Sequence, residues 1–119
     1  MRIQNFEDVI SWQKGRMLYV ELAKDFRASK DYAFQDQLFR AALSITNNIA
    51  EGFDRGSDKE LRQFLIIARG SCAEVRSMLH IALSDGKINK VRHQELADLT
   101  TQISKLLTGF IKKLATGDR

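Results

Sequence analysis

With 119 residues, 44% of them hydrophobic, and no proline, the chain is long enough to bury a core as one domain (residues 1–119) and too aliphatic for disorder. Its formal net charge of +4 is mild, and acids are interspersed among the basic residues, unlike the one-sided footprint of a dedicated nucleic-acid binder. The single cysteine excludes a disulfide framework and fits a reducing compartment. The longest apolar run (Phe64 to Ala68) is too short to span a bilayer, and the first residues carry no apolar signal core, so the expected location is cytoplasmic.

Residues 6–27 read as the first helix. At about 100° per step, Val9, Trp12, Gly15, Tyr19, Leu22, Ala23 and Phe26 share one face, and Asp8 suits the first turn. Glycine costs about 1 kcal/mol against alanine in a helix interior, so Gly15 on the core face predicts close approach of a neighbouring helix. Residues 28–31 make a turn in which Ser29 or Asp31 can cap a second helix over 31–51. There Leu38, Ala42, Ile45 and Ile49 form a narrow buried face, with a polar stripe of Arg40, Ser44, Asn47, Asn48 and Glu51 opposite. Gly52 followed by Phe53 reads as a helix stop, with the glycine left-handed. Ser57 then opens a third helix over 58–83, with Glu60 completing a capping box.

The third helix has two unusual sides. Leu61, Phe64, Leu65, Ala68, Cys72, Val75 and Leu79 form a tight apolar stripe, where Cys72 acts as a small hydrophobe. The opposite side should be charged, yet it carries Ile66, Gly70, Ala73, Ser77 and Ile81, with Ile67 and Glu74 at its edge. Exposing a large aliphatic side chain forfeits about 1.5–3 kcal/mol, so this side predicts a second packed surface, an interface between copies of the chain. Arg40, Ser44, Asn48 and Glu51 of the preceding helix are expected at its edge. After the connector SDGKIN, with Gly86 as breaker, a fourth helix covers 89–115. Its Leu96, Leu99, Ile103, Leu106 and Phe110 trace a bundle seam, with Leu107, Ile111 and Leu114 alongside. The tail, 116–119, should fray. The expected architecture is all-α: an antiparallel up-down-up-down four-helix bundle.

Bundles that hold metals use inward Glu-x-x-His pairs. Here Ser77 precedes His80 and Lys90 precedes His93 at that spacing, so no ligand pair forms and both histidines are expected to be isolated and partly exposed. No phosphate loop, zinc spacing or nucleophile–base pair is present, so no catalytic residue, metal, cofactor or small-molecule substrate is assigned, and enzymatic activity is not expected. The basic residues Lys24, Arg27, Lys30, Lys87, Lys90 and Arg92 should gather at one bundle end among acids. Arg55, Lys59, Arg62, Lys112, Lys113 and Arg119 should gather at the other, where all but the last are the candidate nucleic-acid contacts.

Several blocks also follow a known pattern: Phe6-Glu7-Asp8-Val9 with Trp12-Gln13-Lys14, Arg40 to Ile45, Asn48-Ile49-Ala50-Glu51-Gly52, and Phe64 to Ser71. In these the chain resembles the bacterial "four helix bundle protein" family encoded in intervening sequences of 23S ribosomal RNA genes, over almost its whole length. Thr46 stands where relatives often carry proline, a change that only favours a helix interior. The resemblance implies a four-helix bundle assembling as a ring, typically a homopentamer. It also implies kinship with the accessory variability proteins of diversity-generating retroelements, which bind a reverse transcriptase and RNA. The expected function is a non-enzymatic oligomeric scaffold presenting a surface to a macromolecular partner. The alternative is an accessory protein that binds RNA or a nucleic-acid enzyme.

Overall fold

Short polar side chains start three of the four helices. Asp31 accepts the Phe34 backbone N–H at 3.2 Å. Ser57 accepts that of Glu60 at 3.1 Å and donates its hydroxyl to the Glu60 carboxylate at 3.0 Å. Asn89 accepts the N–H of Arg92 at 2.8 Å. Each satisfies a first-turn amide that has no partner within the helix. The computed structural model describes residues 3–115. They form a 3-10 turn (Phe6–Asp8), then α1 (Ile10–Phe26), α2 (Tyr32–Asp54), α3 (Asp58–Ser84) and α4 (Lys90–Ala115), with no strand among the described residues. The expected fraying of 116–119, and any charge from Arg119, lie outside those residues.

Two boundaries differ from the sequence reading. The first helix begins at Ile10 rather than residue 6, because Val9 is extended (φ −78°, ψ 123°) and turns its side chain into the core. Gly52 is not a helix stop: α2 runs on to Asp54, and left-handed backbone occurs only at Gly56 (φ 86°) and Gly86 (φ 72°) among the described residues. What requires glycine at 52 is space. A Cβ there would stand 2.9 Å from Leu61 Cδ1 and 2.9 Å from Phe64 Cβ. Gly15 plays the expected part between α1 and α2, where a Cβ would meet Thr46 Cγ2 at 2.9 Å.

The helices pack in chain order, α1 on α2, α2 on α3 and α3 on α4, and α1 closes the bundle against α4, with the diagonal pairs held apart. The bundle measures 45 × 22 × 19 Å. Its axis is filled by Leu18, Leu22, Phe26, Leu38, Ile45, Ile49, Leu65, Leu79, Leu96, Ile103 and Leu107. In α1, Leu18 takes the fully buried place and Tyr19 and Trp12 are half-buried, the indole packing edge-on against Phe6 at 5.2 Å with the Arg16 guanidinium 5.1 Å over its ring. The α4 seam is also rotated. Leu107, Ile111 and Leu114 face the axis, and Leu99, Leu106 and Phe110 are half-buried at the side. The apolar arc of α4 is wider than one stripe, so steps of three and four can be traced along either of its edges, and only packing selects the centre.

Candidate interface on the third helix

Over its 27 residues α3 presents one wholly buried stripe (Leu61, Leu65, Ala68, Cys72, Val75, Leu79). Turned away from it, Ile66, Ile67 and Ile81 are 37%, 52% and 55% exposed. Gly70, Ala73 and Ser77 lie exposed between Ile66 and Ile81, with Glu74 exposed at the edge, and a Cβ on Gly70 would meet nothing within 4 Å. This is a low, apolar strip along a helix whose other side already fills the core.

The residues expected at its α2 edge divide into two groups. Arg40 and Glu51 are exposed, Glu51 in an ion pair with Arg55 at 3.0 Å. Ser44 and Asn48 are half-buried in the α2–α3 seam instead. The Ser71 hydroxyl donates to Ser44 Oγ at 2.8 Å, and the Asn48 amide donates to the Ser44 carbonyl at 2.7 Å and to its hydroxyl at 2.9 Å. Gln37 reaches across the same seam to the Glu74 carboxylate. Thus α2 is tied to the flank of the strip by polar contacts, which fixes the strip's orientation on the subunit.

One exposed aliphatic side chain of α2 lies outside the expected set. Leu43 is 42% exposed on α2, three residues after Arg40 and four before Asn47, so an aliphatic side chain interrupts the stripe read as polar. That interruption was the available signal. Ile10, Met17 and Val20 on α1 are likewise exposed, on another side of the bundle.

His80 and His93 are not isolated: their ring centroids lie 4.8 Å apart with the planes tilted by 57°, across the hairpin that the short α3–α4 connector closes. His93 is buried rather than partly exposed, and its Nε2 has no hydrogen-bond partner among the described residues. No group of three or more His, Cys, Asp or Glu side chains comes together there to hold a metal ion. Burial pushes the Cys72 thiol up to about 12, against the opposing charge of Arg76, so the sulfur stays protonated at neutral pH.

Of the candidate nucleic-acid contacts, Lys59, Arg62, Lys112 and Lys113 are exposed. Arg55 is engaged by Glu51, and its guanidinium lies 5.2 Å over the Phe64 ring. A Phe53–Phe110 contact at 6.0 Å brings the α2–α3 connection beside the last turns of α4, so these cations share one end of the bundle. At the other end Arg92 ties α4 to α1 through Asp25 at 2.7 Å and Glu21 at 3.2 Å, and Lys87 joins Asp31 at 3.2 Å and Asp85. Among the described residues no helix is long and apolar enough to cross a membrane.

Four helices around one apolar axis, with a second apolar strip outside it, define a helical-bundle protein. A family model described as "23S rRNA-intervening sequence protein" matches residues 7–109, and the chain belongs to that family. Among solved structures, the chain is similar to a protein with unknown function from the S23 ribosomal protein family of Bacteroides thetaiotaomicron. The TM-score is 0.79 at 22% identity, over 87% of this chain and 96% of that one, a likeness that establishes the fold alone. No curated protein matches the chain.

Proposed function

We propose that the protein is a non-enzymatic, cytoplasmic scaffold: a single-domain antiparallel up-down-up-down bundle that self-assembles through the outer strip of α3 and presents the assembled surface to a macromolecular partner. The observation that carries this reading is the exposure of Ile66 and Ile81 on one side of α3, with Ile67 at its edge, beside the open Gly70. Aliphatic groups in a row along small residues cost burial energy unless another surface covers them, and a small-residue strip lets a second helix approach closely. The antiparallel arrangement is supported by the pairings of α1 with α4. Asp25 meets Arg92 near the end of one and the start of the other, and Lys14 donates to Gln102 at 3.1 Å further along. The ring form, a pentamer, rests on the family resemblance. No catalytic role is assigned, since the thiol is buried and protonated and the two imidazoles pack against each other.

Light scattering of the purified protein at micromolar concentration tests the reading. Several times the subunit mass of 13.6 kDa is expected, and a monomer throughout would overturn it. A second reading, binding of RNA or of a nucleic-acid enzyme, is favoured by the exposed Lys59, Arg62, Lys112 and Lys113 at one end, a modest charge that a ring would multiply. Phosphate contacts weaken steeply with salt and apolar protein contacts do not, so the salt dependence of any captured partner separates the two.

A further inference from the structure

Where the first turn of α1 faces the last turns of α4 the bundle is open, and a groove of about 320 Å³ remains. Val9 and Ile10 wall one side, Leu106 and Phe110 the other. Gly109 lies between the latter two. A Cβ there would meet nothing within 4 Å, so no packing within the chain calls for glycine, a poor helix former, at this place. The glycine instead keeps the groove deep.

One end of this apolar groove carries polar and cationic groups. Ser11 lines it and is only 2% exposed, yet its hydroxyl has no hydrogen-bond partner among the described residues. Buried hydroxyls are nearly always paired, so an orphan on a groove wall points to a partner that comes from outside. Ser11 belongs to the first turn of α1, the one helix whose N-cap, Val9, supplies no side-chain acceptor among the N-caps described. The amides of that turn have no partner within the helix and carry the positive end of its dipole. Lys105 and Lys113 of α4 also belong to the lining, and among the described residues no carboxylate side chain is part of it; Glu7 and Asp8 are exposed on the preceding turn.

We propose that this groove binds an amphipathic organic acid, its carboxylate seated at the N-terminus of α1 against the Ser11 hydroxyl and its aliphatic tail laid along Ile10, Leu106 and Phe110. The volume stands at the lower end of ligand pockets, which run from about 300 to 1,000 Å³, and so favours a medium-length chain. No residue of α3 lines the groove, so this site and the proposed assembly surface stand or fall separately.

The test is calorimetric titration of the full chain with decanoate, with decanol and acetate as companions. Decanoate should saturate about one site per chain, decanol should bind at least about tenfold more weakly for want of its charge-assisted hydrogen bonds, and acetate should not bind measurably. Gly109→Leu fills the groove and should abolish binding with helicity unchanged. Ser11→Ala should weaken decanoate about three- to tenfold without lowering the melting temperature, because the apo protein loses only an unpaired hydroxyl. A merely structural Ser11 would move the melting temperature instead. Absence of saturable binding overturns the proposal. So does decanol binding as tightly as decanoate, which would make the groove a plain apolar patch, or undiminished decanoate binding by Gly109→Leu. A drop in assembled mass on Gly109→Leu, with no decanoate bound by the native protein, would assign the groove to a second copy of the chain and equally overturn it.

Discussion

Leu65 and Ile66 are neighbours of equal size on one helix, and they have opposite fates. Leu65 lies wholly inside the bundle while Ile66 stands on its outer side with Ile67 and Ile81. Two glycines repeat the contrast. Gly52 is pressed against Leu61 and Phe64, and Gly70 has open space where a Cβ would go. Hydrophobicity alone therefore does not say where a residue of this chain is buried. The inner side of α3 is explained by its own subunit, and the outer side is aliphatic and low without any intrachain reason.

The widest separation of the two sides comes from truncating the inner one. Leu65→Ala removes a fully buried side chain and should cost about 2–5 kcal/mol of subunit stability, read from denaturant unfolding. Next is Gly52→Ala. Its new methyl would meet Phe64 Cβ, which is fixed to the backbone, so overpacking should outweigh the helix propensity of alanine by about 1–2 kcal/mol. Gly70→Ala, built into open space, should instead leave subunit stability unchanged or raise it by up to about 1 kcal/mol. The opposite ordering of the two glycines would show that the close α2–α3 approach is misplaced.

The smallest effect belongs to the charged end, far from either side. The Lys24 hydrogen bond chiefly, with Arg92 assisting, holds the Glu21 carboxyl below its ordinary range. The Phe34 amide and then Lys87 hold Asp31 below its own. Groups lowered in the folded state contribute stability above their ordinary range and lose it as pH falls through the folded values. The melting temperature should therefore fall as pH drops from neutral to below the carboxylate range. Arg92→Gln should lower it by a few degrees at neutral pH and flatten part of the acid slope. An acid slope identical in Arg92→Gln would remove the Arg92 cluster from that explanation.

The four helices, the inner stripe of α3, the caps at Asp31 and Ser57 and the turn at Gly86 were legible because each depends on residues within a few positions. What was not legible depends on distant partners. A glycine that stops a helix and one that admits a neighbour look alike in a single chain, and Gly52 is the second kind because Leu61 and Phe64 fold back onto it. Val9 ends the first turn although nothing in its type breaks a helix. His93 meets His80, and α4 is rotated about its own axis, for reasons that exist only once α3 and α4 are paired. In the candidate interface, the outer residues of α3 were legible by periodicity, whereas Ser44 is held in the α2–α3 seam by Ser71, a partner outside its own helix, and Asn48 bonds to Ser44 there.

The most direct measurement is sedimentation equilibrium with circular dichroism on Ile66→Asp and Gly70→Leu beside the native protein. An aspartate in the outer strip would strand a charge in any contact made there, and a leucine at 70 would hold two such helices apart. Both variants should be as helical as the native chain yet smaller in mass, since neither side chain enters the intrachain core. Native assembly retained by both variants would contradict the assignment of α3's outer side to an interface.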